Sequence, residues 1–121
     1  MEERRKFVRL DTRLPIAYHV TKAPASKTSL SSDIGGGGVC LFLSEAVKVG
    51  TLLRIEVTLP EQPHPVAFTG EVMWCEQYEV IGKTQRERSV EAGIKFIQIE
   101  PHDQQAIMRH VILSLQPQPP A

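Results

Sequence analysis

Four consecutive glycines, Gly35 to Gly38, stand between Ser32-Asp33-Ile34 and the apolar run Val39-Cys40-Leu41-Phe42-Leu43. Glycine loses more backbone freedom on folding than any other residue, so such a run needs a structural reason. Positive φ, a bulge, or close approach of the backbone to another group are the usual ones. A flexible linker would be flanked by polar sequence, whereas here an apolar stretch follows at once. The run therefore reads as a structured turn between two strands.

The rest of the chain supplies further strands. Ile16, Tyr18 and Val20 alternate with Ala17 and His19, the period of a half-buried strand. Lys22 to Lys27, with Pro24 and Ser26, reads as a turn, and Thr28, Leu30 and Ser32 lead a second strand into the glycines. After Val39 to Leu43 and a turn at Gly50, Leu53, Ile55, Val57 and Leu59 alternate with Arg54, Glu56 and Thr58 until Pro60. Val66 to Tyr78 forms a long strand whose Phe68, Val72 and Trp74 are expected in the core, with a bulge at Gly70. Residues 79–89 are expected to be a hairpin loop, and Val90 to Ile99 the return strand, with Ala92, Ile94 and Phe96 on one face. Short strands at regular spacing argue for an antiparallel sheet closed as a small barrel.

The last element is different. Pro101 suits a first helical turn and Asp103 favours a helix N-terminus, while Ile107, Met108, Val111, Ile112 and Leu115 recur at helical spacing. That stripe is expected to cap one end of the barrel, a partner surface being the alternative. The division that follows is a flexible N-terminal arm over 1–14, a barrel with its C-terminal helix over 15–116, and a disordered, proline-rich tail over 117–121.

A chain of 121 residues can bury a core without disulfides or a metal. Fourteen Lys plus Arg against fourteen Asp plus Glu leave no global field to draw it to a nucleic-acid polymer or anionic lipid, so any anion site is local. No apolar run is long enough to span a bilayer and no signal sequence opens the chain, so the expected compartment is the cytoplasm, without membrane insertion. Cys40 and Cys75 lie in separate apolar segments and read as reduced core thiols; no His or Cys spacing suits a metal, and no cofactor is implied.

Enzymatic readings find little support. The glycine run lacks P-loop spacing and a following Lys-Ser or Lys-Thr, there is no nucleophile elbow, and Glu45, Glu56, Glu71 and Glu91 fall mostly on polar strand faces. A binding site fits better. Arg4-Arg5-Lys6-Phe7-Val8-Arg9 is the one dense basic cluster, and a separation of four puts Arg5 and Arg9 on one side of either a strand or a helix. Arginine matches phosphate or a guanine edge as a rigid fork, and an ionised carboxylate such as Asp33 accepts from guanine N1–H and the exocyclic amine together. An anionic guanine nucleotide held between the arm and the glycine turn suits both.

These residues resemble the PilZ domain, whose motifs are RxxxR and D/N-x-S-x-x-G. Arg5-Lys6-Phe7-Val8-Arg9 corresponds to the first and Asp33-Ile34-Gly35-Gly36-Gly37-Gly38 to the second; Glu71-Val72-Met73-Trp74 and Ala92-Gly93-Ile94-Lys95-Phe96 look like the family's last strands. The resemblance implies an all-β fold with a C-terminal helix, a six-stranded antiparallel barrel of split-barrel type, and a non-catalytic receptor for cyclic di-GMP that signals to an unidentified downstream protein. It assigns Arg5 and Arg9 to guanine and phosphate, Asp33 to a guanine edge and Gly38 to the closing glycine. Arg4 falls at the position associated with an intercalated ligand dimer. Gly35 stands where the motif has serine, which removes one hydroxyl contact worth about 1 kcal/mol, or roughly fivefold in affinity. Two other readings remain, a nucleotide-independent adaptor in motility or pilus assembly and, last, an RNA-binding barrel.

Overall fold

The computed structural model describes residues 8–23, 25–82 and 86–115. In chain order the elements are β1 (Arg9–Asp11), β2 (Pro15–Val20), β3 (Lys27–Gly35), β4 (Gly38–Leu43), β5 (Leu52–Val57), β6 (Val66–Ile81), β7 (Arg86–Ile99) and α1 (Pro101–Leu115). The sheet runs β1-β3-β2-β5-β6-β7-β4, and a further β3–β4 pairing closes strands β2 to β7 into a six-stranded barrel. Every pairing is antiparallel. Closure removes the barrel's free edges, which an open sheet of this size would expose to other chains.

Inward residues fill the interior as their period of two requires. Leu53, Ile55 and Val57 of β5 point inward while Leu52, Arg54 and Glu56 stay exposed. Ile34, Val39, Leu41, Phe68 and Val72 join them, all fully buried. Helix α1 packs on β1, β3 and β6 and buries Ala106, Ile107, His110 and Val111. Ile112 and Leu115, expected in the buried stripe, are exposed instead. The contact face is set by residues 106, 107, 110 and 111, and residues 112 and 115 lie around the cylinder from it. His110 fixes the helix to the loop after β5, its Nδ1–H donating to Glu61 Oε1 at 2.7 Å and Oε2 at 3.0 Å.

Two strand-level expectations change. Trp74 is 38% exposed although Val72 is fully buried, because the register shifts between them and the extra residue turns the indole to the outer face. Residues 79–89, expected to be a loop, largely continue the strands: β6 reaches Ile81, β7 starts at Arg86, and Glu79 faces Arg88 across the pair. Among its described residues Glu79, Ile81 and Arg88 are exposed, so no core face imposes an apolar alternation there. The register also shifts between Thr69 and Gly70, but Thr69 faces Gln98 and Gly70 faces Phe96, so the extra residue is Ile97 and the bulge expected at Gly70 lies in β7, opposite it.

Candidate functional site

Residues 9–11, within the stretch expected to be a flexible arm, form β1 against the C-terminal half of β3, with Arg9 opposite Gly35, Leu10 opposite Ile34 and Asp11 opposite Asp33. Gly35 makes that approach possible: a Cβ there would stand 2.7 Å from the Val8 carbonyl oxygen and 3.3 Å from Arg9 Cγ. Gly38 is as tightly placed, since its Cβ would come within 2.2 Å of the Ile94 carbonyl oxygen on β7. No glycine of the run has positive φ; among the described residues Gly50 alone does, at 93°. Close approach, of the three reasons open from the sequence, is the one that holds for Gly35 and Gly38. The intervening bend is tied down from outside, with Gln104 Nε2 of α1 donating to the Gly36 carbonyl at 2.6 Å and the Phe96 amide to the Gly37 carbonyl at 3.1 Å.

Once β1 is seated, Arg9 lies over Asp33. Its Nε–H donates to Asp33 Oδ1 at 2.7 Å, its Nη2 forms an ion pair with the same oxygen, and Nη2 also reaches Cys40 Sγ at 3.4 Å. The two side chains are 21% and 27% exposed, so the pair is sheltered but within reach of a ligand. Asp33 pairs with Cys40, Cys40 with Gly93 and Gly93 with Trp74, a row across β3, β4, β7 and β6. Trp74 covers Gly93 closely: a Cβ at position 93 would lie 2.1 Å from the indole Nε1. Burial, then the Asp33 charge, push the Cys40 thiol up to about 11, so it is a neutral wall of the site and not a nucleophile.

Beside this row lies a second. Ser32 Oγ donates to Glu91 Oε2 at 2.7 Å and the Tyr78 hydroxyl to Glu91 Oε1 at 3.3 Å. Arg13 Nη1 donates to Asp11 Oδ1 at 2.9 Å and to the Ser32 carbonyl at 2.8 Å, and the guanidinium lies 5.6 Å from the centre of the Phe42 ring. The outer wall thus offers cations, a carboxylate and an indole face, the groups that match phosphate, a guanine edge and a base plane.

Of the residues singled out from the sequence, Arg9, Asp33, Gly35 and Gly38 come together here, whereas Arg4 and Arg5 lie outside the described residues, as do 1–7 and 116–121 generally. Trp74, Cys40, Ser32, Glu91, Tyr78 and Arg13 were not among the sequence candidates for the site. The sequence does contain one trace of Trp74, a glycine at position 93 in the middle of a strand, but only the cross-strand register pairs the two. Among the described residues no cluster of three or more His, Cys, Asp or Glu could hold a metal, and no helix is long and apolar enough to cross a membrane.

A closed six-stranded antiparallel barrel carrying a C-terminal helix and an Arg–Asp pair on its outer wall defines a recognisable class of small domain. The PilZ domain family matches residues 3–113, and the chain belongs to that family. Solved structures agree on the fold. The PilZ domain of Escherichia coli YcgR with c-di-GMP aligns with a TM-score of 0.73 at 17% identity, covering 93% of this chain and 92% of that one. Bacillus subtilis MotI/DgrA, an inhibitor of motility, aligns at 0.72 and 23% identity, covering 93% of this chain and 52% of the other. The K. pneumonia MrkH–c-di-GMP complex aligns at 0.71 and 17%, covering 94% and 52%. The chain therefore spans about half the length of MotI/DgrA and of MrkH. No curated protein sequence matches it.

Proposed function

We propose that this domain is a non-catalytic receptor for cyclic di-GMP, binding it on the outer barrel wall between the N-terminal arginines and the Asp33–Gly38 segment. The observation that carries the reading is the Arg9–Asp33 pair, with the indole of Trp74 in the same row. Family membership supports it, as do structural neighbours whose complexes contain c-di-GMP. Arg9 and Asp33 satisfy each other. A guanine nucleotide supplies a phosphate or O6/N7 edge for the guanidinium and N1–H with the exocyclic amine for the carboxylate, so it exchanges one ion pair for two complementary contacts. Arg4 and Arg5 then close over the ligand, and the arm held on the barrel by the nucleotide creates a surface for a cytoplasmic partner. Arg4, Arg5, Arg9, Asp33, Gly35 and Gly38 form the proposed site.

Titration calorimetry on wild type, Arg5→Ala, Arg9→Ala and Asp33→Ala tests this directly. Each alanine is expected to cost about 1.5 to 3 kcal/mol, a loss of roughly ten- to 150-fold in affinity. Absence of heat from wild type at tens of micromolar ligand would overturn the reading. A nucleotide-independent adaptor has its own supporting observation, the exposed Ile112, Leu113 and Leu115 at the end of α1. Chemical-shift changes at Arg9 and Asp33 on adding cyclic di-GMP decide against it.

A further inference from the structure

We propose that Glu91 is a positioning residue for Asp33, holding through Ser32 the bulge in β3 that turns Asp33 outward. The inference rests on Asp33 being a nucleotide contact. Ser31 pairs with Leu41 and Ile34 with Val39, and all four are fully buried. Residues three apart on a regular strand face opposite sides, so Ser31 and Ile34 share the inner side only because the register shifts between Ser31 and Asp33. The consequence is that two successive residues, Ser32 and Asp33, both face out. Asp33 meets Arg9, and Ser32 Oγ donates to Glu91 Oε2 at 2.7 Å.

Ordinary surface chemistry does not account for a carboxylate at position 91. Glu91 stands directly opposite Glu76 across β6 and β7, an arrangement in which like charges destabilise a sheet, and none of the described ion pairs includes it. Its compensation comes from hydroxyls: Ser32 on one oxygen and Tyr78 on the other. A hydrogen bond to an ionised acceptor is stronger and more directional than a neutral one, which suits a group that pins a bulge. Glu91 thus joins the β6–β7 hairpin to the residue immediately before Asp33. Released from it, the Ser32 side chain has no charged partner, only its backbone carbonyl staying tied to Arg13, and the Asp33 carboxylate loses its fixed aim at Arg9.

Two readouts test the proposal on wild type, Ser32→Ala, Glu91→Gln and the double variant. Without ligand, the Arg9 Nε–Hε resonance reports the bond to Asp33; it is expected as a discrete, slowly exchanging signal in wild type and broadened or lost in both single variants. With ligand, calorimetry compares cyclic di-GMP with cyclic di-AMP, which lacks the guanine edge. Preference for the guanine ligand is expected to fall roughly fivefold in each single variant, with no further fall in the double variant, as for two residues acting through one bond. Single variants that keep the Arg9 signal and the preference overturn the proposal. So does a loss confined to Glu91→Gln, which would make Glu91 a direct ligand contact. If wild type binds neither nucleotide, the receptor reading fails, while the Arg9 resonance still decides whether Glu91 positions Asp33.

Discussion

At position 35 one side chain separates what the family motif asks for from what this fold admits. A serine there would restore the motif hydroxyl, yet its Cβ would stand 2.7 Å from a backbone oxygen of Val8. Backbone cannot swing aside as a side-chain tip does, so β1 must lift away from β3. Gly35→Ser is therefore expected to lose about 1 to 3 kcal/mol in denaturant unfolding, the usual cost of overpacking, and to weaken nucleotide binding instead of improving it. Tighter binding with unchanged stability would refute this account of the glycine. Cys40 carries a second prediction. Its thiol is raised in the fold from the ordinary 9.0 to about 11, so the folded state holds the proton more tightly than the unfolded chain. That contribution to stability is complete below about pH 9 and is lost as pH rises towards 11. Iodoacetamide should label Cys40 slowly at pH 8 and accelerate only above pH 10, as mass spectrometry of the modified peptide would show.

Elements are held to the barrel by a few specific contacts, and those contacts predict what loosens first. Trp74 is the sole tryptophan, so its emission reports the outer wall. Gly93→Ala places a methyl carbon 2.1 Å from its Nε1 and should push the indole into water, shifting emission to the red while the far-ultraviolet circular dichroism stays unchanged. An unshifted spectrum would mean that the indole does not rest on Gly93. Helix α1 depends on His110, whose Nδ1–H meets the Glu61 carboxylate while its Nε2 is buried without a partner among the described residues. His110→Ala is expected to cost about 2 kcal/mol in chemical denaturation, combining a lost charge-assisted hydrogen bond with a small cavity. A loss within experimental error would show that apolar packing of Ile107 and Val111 alone seats the helix. Most elements were legible because one face is apolar and the other wet, as in β5. The β6–β7 extension was not, because beyond the rim described side chains on both of its faces, Tyr78, Glu79, Ile81 and Arg88, are exposed and the period-two signal vanishes.

For the molecule as a whole, the barrel, β1 and α1 form one contiguous core that includes Leu14, Ile34, Phe68 and Ile107. A ligand bridging β1 and β3 binds only the folded state, so free ligand at one hundred times Kd should add about 2.7 kcal/mol of stability and raise Tm. A melting temperature unmoved by saturating cyclic di-GMP would contradict the proposed site. The same ligand concentration on Asp33→Ala, whose affinity is expected to be roughly ten- to 150-fold weaker, should add only about 0.3 to 1.4 kcal/mol.

Sequence alone determined what depends on local periodicity and composition: the antiparallel barrel, the terminal helix and the glycine segment. What the sequence could not express is registry. A one-residue shift between Val72 and Trp74 turns an aromatic residue from core to wall, and another between Ser31 and Asp33 turns a serine and an aspartate outward together. Both shifts exchange the faces of every residue beyond them, and they are fixed by which strand lies opposite, not by the residues within the strand itself. The tertiary structure likewise decided what the glycines are for. They take no unusual φ; they clear space for the Val8 and Ile94 carbonyls, groups 27 and 56 residues away from Gly35 and Gly38 in the chain.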